Sequence, residues 1–290
     1  MITYFLVDGG GSKTCGRLIR ADTGAILFES IGGPGNLSLG AETVWDVIEK
    51  LLVDCSIKPD MYVCGLAGSE YCLERQKFLR YAKRKTILVS DRESGLVGAH
   101  KGLPGACLTV GTGVVLSWLD FDKQLHHRGG LGFVLGDCGG GAWLGLNAVR
   151  ELAVSAQSNS LSAQQSDLVS KFQIGPDLPD WVAFANKATP KQFALLATNL
   201  VKAHRTNAWA KALFEHGCDL LEDLLQAAPK KLPLALVGGL APVYRELLNA
   251  RGLDLVEAKG DALDGLALIA CQKDETLCRS WVVHLSLIHI

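Results

Sequence analysis

The sequence lacks the features that mark membrane proteins and nucleic-acid-binding proteins. No run of about 18 apolar residues occurs, so we predict no membrane-spanning helix. The first residues, MITYFLVDGGG, have no basic start before a long apolar stretch, and we expect no signal peptide and a cytoplasmic location. The formal net charge is only −1, with lysines and arginines scattered along the chain. Nucleic acid and anionic membrane surfaces are therefore not expected partners.

The sequence also lacks the cysteine spacing of a metal site. Its nine cysteines are irregularly spaced and include no Cys-x-x-Cys pair, so neither a zinc nor an iron–sulfur site is predicted. Most of them lie in apolar runs and are interpreted as small core residues in a reducing compartment.

Two stretches of the chain share one pattern of short strands around a glycine turn. Residues 2–30 predict three antiparallel strands, and residues 106–130 repeat the pattern. Alternating helices and strands after the first stretch indicate parallel additions to its sheet. Residues 139–227 have helical periodicity almost throughout. We therefore predict an α/β protein of two similar domains, 1–105 and 106–290, with a helical insertion in the second.

Three glycine turns follow apolar strands and are candidates for binding a polyphosphate and a nucleoside. Consecutive glycines let backbone N–H groups converge on an anion without Cβ clashes. The first turn is neither a Walker A loop nor a Rossmann turn, because a strand and not a helix follows it. Ordinary hairpin turns are the alternative interpretation. The candidate residues are Asp8, Gly10, Gly11, Ser12, Lys13 and Thr14 in the first turn, Gly111, Thr112 and Gly113 in the second, and Gly238 and Gly239 in the third.

Three polar side chains stand where a ligand could be bound. Asp91 closes an apolar strand, at the sheet edge where α/β proteins bind ligands, or it caps the next helix. Asp137 lies among seven glycines in residues 129–141 and could bind two sugar hydroxyls, or cap the helix near Ala142. Asn36, after Gly32-Gly33-Pro34-Gly35, could contact a ligand or form a turn.

In chain order these motifs resemble the BadF/BadG-type branch of the actin-like ATPase superfamily, which includes N-acetylglucosamine and glucosamine kinases. The matching segments run from residue 3 to about 272: DGGGSKT, GGPGNLSLG, SDRESGLVGA, LTVGTGVVL, GGLGFVLGDCGGGAWLG, LVGGLA and GDALDGLALIA. The resemblance implies two ribonuclease-H-like domains with ATP and sugar in the cleft between them. It implies phosphorylation of glucosamine or N-acetylglucosamine at the 6-hydroxyl.

The same resemblance implies a role for each candidate residue. Asp91 would be the catalytic base, and Asp8 would hold Mg²⁺ through water. The first two glycine turns would bind the phosphates, and Gly238 and Gly239 the adenosine. Asn36, Gly130 and Asp137 would contact the sugar.

Some residues depart from the kinase pattern, and other functions stay open. Leu131, Cys138 and Gly140 stand where the pattern usually has Trp, Glu and Ser, so the hexosamine is not fixed. A non-kinase ATPase that activates a 2-hydroxyacyl-CoA dehydratase or a reductase is one alternative, although no suitable cysteine pair is evident. A non-catalytic sugar sensor is another. A homodimer is plausible from the family, and residues 279–290 follow no turn or helix pattern.

Overall fold

A computed structural model describes residues 2–82, 84–175 and 177–273, which contain two five-stranded sheets. The first sheet consists of β1 (Thr3–Gly9), β2 (Thr14–Arg20), β3 (Ile26–Gly32), β4 (Met61–Leu66) and β5 (Lys85–Val89). The second consists of β6 (Gly105–Val110), β7 (Val114–Leu119), β8 (Leu125–Gly129), β9 (Leu234–Val237) and β10 (Leu255–Val256).

Ten α-helices occur in the described part of the chain, together with a 3₁₀ turn at Leu37–Leu39. The helices are α1 (Ala41–Leu51), α2 (Cys72–Tyr81), α3 (Asp91–His100), α4 (Gly141–Gln157), α5 (Ala163–Phe172), α6 (Leu178–Lys187), α7 (Pro190–Ala203), α8 (Ala208–Leu225), α9 (Ala241–Ala250) and α10 (Ala262–Lys273). Helices α4 to α8 lie between β8 and β9, where the sequence predicted a helical insertion. None of the described helices is both long and apolar enough to cross a membrane.

The two sheets have the same strand order, which confirms the predicted duplication. The first sheet runs β3-β2-β1-β4-β5, and the second, taken from its other edge, runs β8-β7-β6-β9-β10. In the first sheet β1 pairs antiparallel with β2 and parallel with β4. In the second, β6 pairs parallel with β9. In each sheet the central strand, β1 or β6, therefore ends at a glycine turn, and the next strand of the chain lies beside it.

Alternation along β1 places its side chains in two different cores. Tyr4 and Leu6 belong to a core completed by α10, and Phe5 and Val7 belong to one completed by α1 and α2. Successive strand residues point to opposite faces, so Asp8 shares the face of Tyr4 and Leu6. The sheet thus directs Asp8 to the side on which α10 packs.

The described chain divides into two compact units that interleave in sequence. The first unit is residues 2–105 with 118–125 and the described residues from 257 onward, and the second is 106–117 with 126–256. The sequence analysis placed residues 106–290 in one domain, whereas α10 packs against α3 of the first unit. Glycines allow this packing, since a Cβ on Gly98 would meet the Asp261 carbonyl and one on Gly265 the Ser94 carbonyl. Residues 279–290 lie outside the described residues.

Candidate active site

The first glycine turn joins β1 to β2, and backbone hydrogen bonds fix its conformation. The Gly10 N–H donates to the Lys13 carbonyl at 3.0 Å, and the Gly35 N–H donates to the Gly10 carbonyl at 3.0 Å. A Cβ on Gly9 would lie 2.6 Å from Leu66, so packing requires that glycine. A Cβ on Gly11 would meet nothing within 4 Å. Packing therefore does not require glycine at position 11, and its absence of a side chain leaves the backbone there open to a ligand.

Asp8 lies in the first unit with like charges around it. Burial, followed by the charges of Asp91 and Asp261, raises the pKa of Asp8 to about 6, and Lys13 acts in the opposite direction. Asp261 is the residue before α10, and its Oδ1 accepts from the Asp264 N–H at 2.8 Å. The charges of Asp91 and Asp261 thus both oppose ionisation of Asp8, which favours a cation beside it.

Asp91 is the first residue of α3, and it is not the cap of that helix. Ser90 caps α3, since its side chain accepts from the Glu93 N–H at 3.1 Å. The capping alternative for Asp91 is therefore wrong, because a serine one residue earlier already satisfies the N–H group. Its Oδ1 accepts a local bond from the Arg92 N–H at 3.0 Å. Burial, and then the charge of Glu70, raises the pKa of Asp91.

Side-chain hydrogen bonds join the loop before α2, and α2 itself, to the end of β5, close to Asp91. The Ser69 hydroxyl donates to the Val89 carbonyl at 3.2 Å, and Arg75 donates to the Leu88 carbonyl at 2.8 Å. Glu70, between them, forms an ion pair with Arg92. The sequence analysis missed Glu70 and Arg92, because only the pairing of β4 with β5 brings them together.

Asn36 lies at the start of the 3₁₀ turn, close to the first glycine turn. Its Oδ1 accepts from the Ser38 N–H at 2.8 Å, so the turn-forming interpretation is correct for that oxygen. The loop before it is joined to β2, since the Thr14 hydroxyl donates to the Gly33 carbonyl at 2.7 Å. Asn36 is only partly buried, and its amide group stands next to Gly68. The first unit thus brings Asn36 near the first glycine turn, since the preceding Gly35 is bonded to Gly10.

The second glycine turn lies at the N-terminus of α4. The Gly141 N–H donates to the Gly111 carbonyl at 2.8 Å, and the Ala142 N–H donates to the Thr112 carbonyl at 3.0 Å. The positive end of a 17-residue helix is therefore beside the turn, which favours a bound anion. A Cβ on Gly111, as on Gly11, would meet nothing within 4 Å.

The third glycine turn adjoins the second. The Leu240 N–H donates to the Val110 carbonyl at 3.1 Å, and a Cβ on Gly238 would strike that same carbonyl. Gly238 has φ +103°, and a Cβ on Gly239 would find open space. Within the second unit, the parallel pairing of β6 with β9 therefore brings together the two turns predicted to bind ATP.

Asp137 lies over the second glycine turn, at the end of the glycine-rich loop 129–141. Its Oδ1 accepts from the Val114 N–H at 3.0 Å, and a Cβ on Gly113 would lie 2.5 Å from its carboxylate. Burial raises the pKa of Asp137, while the Val114 bond lowers it. The structure contradicts the alternative that Asp137 caps α4, because Gly140 is the residue before that helix.

Packing within the loop explains why Gly140 stands where the kinase pattern usually has serine. A Cβ on Gly140 would lie 2.8 Å from the Thr112 carbonyl oxygen and 2.9 Å from the Asp137 carbonyl oxygen. Glycine there is thus a packing requirement of this chain. At the other end, the Gly130 N–H donates to the Val114 carbonyl at 2.9 Å. Gly130 and Asp137 are therefore both bonded to Val114, at the start of β7.

The carboxylates of the first unit suit a magnesium ion bound through water. Burial, and then the charges of Asp91 and Asp261, raise the pKa of Asp8, so a cation bound there would stabilise its ionised form. No group of three metal-ligating side chains occurs among the described residues, so a direct protein cage is not present there. Mg²⁺ commonly keeps several waters and takes one or two carboxylates together with phosphate oxygens. Asp8 fits that manner of binding.

No protein-family model matches the sequence, but similar proteins do. Glucosamine kinase GspK of Vibrio cholerae is 26% identical over 289 residues, covering 94% of this chain and 97% of that protein. The N-acetylmuramic acid/N-acetylglucosamine kinase of Clostridium acetobutylicum is 25% identical over 299 residues, covering 91% of this chain and 96% of that protein. This chain is a relative of amino-sugar kinases.

A solved structure extends the likeness to the fold. A proposed N-acetylglucosamine kinase from Chromobacterium violaceum superposes with a TM-score of 0.84 at 29% identity, covering 93% of this chain and 99% of that chain. The resemblance and the actin-like ATPase fold that the sequence predicted are both confirmed. The roles of the individual site residues stay predictions.

Proposed function

We propose that this relative of the amino-sugar kinases transfers a phosphoryl group from ATP to the 6-hydroxyl of glucosamine or N-acetylglucosamine. One observation carries the proposal: Asp91 follows β5, the edge strand of the first sheet of an actin-like fold, and Ser90 leaves its carboxylate free of the helix cap. A carboxylate with a raised pKa at that place suits a general base. The names of the relatives support the same reaction class.

The chemistry assigns one task to each group. The sugar 6-oxygen attacks the γ-phosphorus, its proton passes to Asp91, and the bond to the β-phosphate oxygen breaks to leave ADP. Backbone amides stabilise charge that spreads over the transferring group. We propose that the turns of residues 10–14 and 111–113 supply these amides, with Gly238 and Gly239 beside the adenosine. The Gly10 and Gly111 N–H groups themselves donate to the Lys13 and Gly113 carbonyls and help to shape the two turns. Mg²⁺, held by Asp8 through water, would neutralise phosphate charge.

The sugar is proposed to contact three of the predicted residues. Asn36 has an amide group beyond the oxygen that holds the 3₁₀ turn, and Gly130 has a backbone carbonyl. Asp137 has a second carboxylate oxygen besides the one bonded to Val114. Hydroxyl groups of a sugar can both donate to and accept from such partners.

Release of ADP from Mg-ATP tests the proposal. The arms are glucosamine, N-acetylglucosamine, N-acetylmannosamine, glucose and no sugar, each with the wild type, Asp91→Asn and Asp54→Asn. We expect one hexosamine to stimulate release and Asp91→Asn to lower that rate by roughly 10²-fold or more. Asp54 is an exposed carboxylate of the same unit, and its variant should match the wild type.

Two outcomes would contradict the kinase proposal. ATP turnover that no sugar changes would favour the non-kinase ATPase. Absence of turnover, together with a sugar-induced rise in melting temperature, would favour the sugar sensor.

A further inference from the structure

The side chain of Tyr244, on α9, is fully buried and reaches the glycine-rich loop 129–141. Its hydroxyl donates to the Gly139 carbonyl at 2.6 Å. Burial raises the pKa of Tyr244 well above its usual value, so the hydroxyl keeps its proton and can donate this bond. Buried tyrosine hydroxyls usually have a hydrogen-bond partner, and here the partner belongs to the loop that carries Asp137.

One peptide group of the loop is thereby bonded at both of its polar atoms. The Gly139 carbonyl accepts from Tyr244, and the Gly140 N–H of the same peptide group donates to the Asp137 carbonyl at 2.9 Å. Gly139 has φ +84°, which glycine adopts without steric cost. The bond from Tyr244 therefore fixes the turn that comes directly after Asp137.

Close packing against α8 sets the position of the Tyr244 hydroxyl. A Cβ on Gly217 of α8 would strike that hydroxyl, and a Cβ on Gly139 would lie 3.1 Å from Leu221 of the same helix. Phe214 of α8 meets the tyrosine ring edge-on, with the ring centroids 5.4 Å apart. Because this region is filled, the hydroxyl has little freedom to move away from the Gly139 carbonyl.

The helix that carries Tyr244 begins at the third glycine turn. The Tyr244 N–H donates to the Leu240 carbonyl at 3.2 Å, and the Leu240 N–H donates to the Val110 carbonyl at 3.1 Å, at the end of β6. Backbone bonds thus fix the start of α9 to the strand that leads into the second glycine turn. Tyr244 therefore joins the loop of Asp137 to a framework that the sheet already holds.

We propose that Tyr244 is a positioning residue, which holds the glycine-rich loop so that Asp137 meets the sugar in one fixed orientation. The inference rests on the proposed function, in which Asp137 binds the sugar, and Tyr244 acts through Asp137. The Val114 N–H holds Oδ1 of Asp137, and Tyr244 holds the backbone after it, so together they orient the second carboxylate oxygen. A misplacement of about 1 Å in such a contact can lower a rate by roughly 10²-fold.

Tyr244→Phe removes the hydroxyl and keeps the ring, and Tyr62→Phe is the matched control. Tyr62 is also buried, and its hydroxyl donates to Oε1 of Glu49 at 3.1 Å in the first unit. Release of ADP gives kcat and KM for ATP and for the hexosamine that the wild type uses best. Tyr244→Phe should lower kcat/KM for the sugar by roughly tenfold and change the KM for ATP by less than about twofold. Tyr62→Phe should change neither, although it too loses a hydroxyl bond.

The KM for ATP should change little because the second and third glycine turns keep their own backbone bonds. The Gly141 N–H still donates to the Gly111 carbonyl, and the Leu240 N–H still donates to the Val110 carbonyl. A variant that was merely less stable would not separate the two substrates in this way. Equal losses of kcat/KM for the sugar and for ATP would therefore overturn the inference.

Gly217→Ala tests the same contact by displacing the hydroxyl instead of removing it. Alone it should lower kcat/KM for the sugar by roughly tenfold, as Tyr244→Phe does. In the Tyr244→Phe protein it should cause a further loss of less than about twofold, because the contact is already absent. Two independent losses that multiply to about 100-fold would overturn the inference.

Amide hydrogen exchange of residues 137–141 tests the loop without any sugar. Exchange should be faster by roughly fivefold in Tyr244→Phe and unchanged in Tyr62→Phe. Unchanged exchange in Tyr244→Phe would overturn the inference, as would faster exchange with normal use of the sugar, and both would leave the kinase proposal standing. If no sugar stimulates ADP release, the kinase proposal fails and the sugar role of Tyr244 fails with it. Faster exchange would then still show that Tyr244 fixes the loop.

Discussion

The two units share a strand order but present different chemical groups at the ends of their central strands. In the first unit the end of β1 lies among carboxylates, and Asp8 has a pKa raised to about 6 by burial, Asp91 and Asp261. In the second unit the end of β6 lies among glycines and beside the N-terminus of α4. The neighbouring carboxylate of Asp137 is bonded to the Val114 N–H.

Under the proposed function, this difference is a division of labour between two copies of one framework. Removing a proton and holding a metal both need negative charge, which the first unit concentrates. Binding phosphate needs a close approach to the backbone, which the glycine turns of the second unit allow. Duplication of a sheet therefore preserves where a site forms without preserving its chemistry.

Replacing Asp8 should give the largest effect, with stability and activity changing in opposite directions. Between about pH 4 and pH 6 the native Asp8 binds a proton that the unfolded chain has released, so its contribution to stability falls as pH rises through 6. Asp8→Asn removes the uncompensated charge and should raise the free energy of unfolding at pH 8 by about 1–2 kcal/mol. At pH 4 the gain should vanish. Sugar-dependent turnover should fall by roughly 10²-fold or more, because the metal loses its carboxylate.

Urea unfolding at pH 4 and pH 8 measures the first effect, and ADP release measures the second. Asp54→Asn is again the control, and it should alter neither. An Asp8→Asn protein less stable than the wild type at pH 8 would show that the Asp8 carboxylate is compensated within the fold. The contrast between the two units would then be much weaker.

Substitutions at two glycines of the second unit should distinguish a loss of ligand binding from a loss of packing. A Cβ on Gly111 finds open space, so Gly111→Ala should leave stability unchanged or raise it by about 0.5 kcal/mol. It should raise the KM for ATP by roughly tenfold, because the methyl group stands where phosphate approaches the backbone. Gly140→Ala should instead lower stability by about 1–3 kcal/mol, since its Cβ meets two carbonyl oxygens.

Thermal unfolding and ATP saturation curves of both variants distinguish these effects. Normal ATP saturation of Gly111→Ala would show that the second turn does not bind phosphate. The glycines at the end of β6 would then serve folding alone.

The fold was largely predictable because its signals are local and repeated. Alternating apolar residues and glycine turns in residues 2–30 and 106–130 predict two similar sheets, and 3.6-residue periodicity predicts helices in 139–227. The grouping of α10 with the first unit was not predictable. It depends on the fit of Gly98 and Gly265 against carbonyl groups far away in the sequence.

Candidate site residues could be chosen from the sequence where they lie at a strand end, and not where they depend on a tertiary partner. Asp8 is the last residue but one of β1, Asp91 comes two residues after β5, and the glycine turns follow β1, β6 and β9. The alternative that Asp91 caps α3 is wrong, since Ser90 and Asp91 are both good caps and only the φ and ψ angles separate them. The influence of Glu70 on Asp91, and of Asp261 on Asp8, arises from tertiary contacts that no spacing encodes.

Arg17 gives the smallest and most specific test of the acidic region. Its guanidinium lies 2.7 Å from Glu29, 2.8 Å from Asp264 and 3.2 Å from Asp261, and so joins β2 and β3 to the start of α10. Because these carboxylates are about half exposed, Arg17→Met should lower the free energy of unfolding by only about 1 kcal/mol. The variant should also leave Asp261 without its counter-charge.

That loss should raise the pKa of Asp8 further, since Asp261 is one of the charges that already raise it. The acid limb of sugar-dependent turnover should then move upward, by less than about one pH unit. Adding Asp261→Asn to Arg17→Met should move the limb back, because the exposed charge is removed together with its partner. An acid limb that stays in place in the single variant would mean that Arg17 fixes α10 without affecting Asp8. The negative charge that distinguishes the first unit would then come from Asp8 and Asp91 alone.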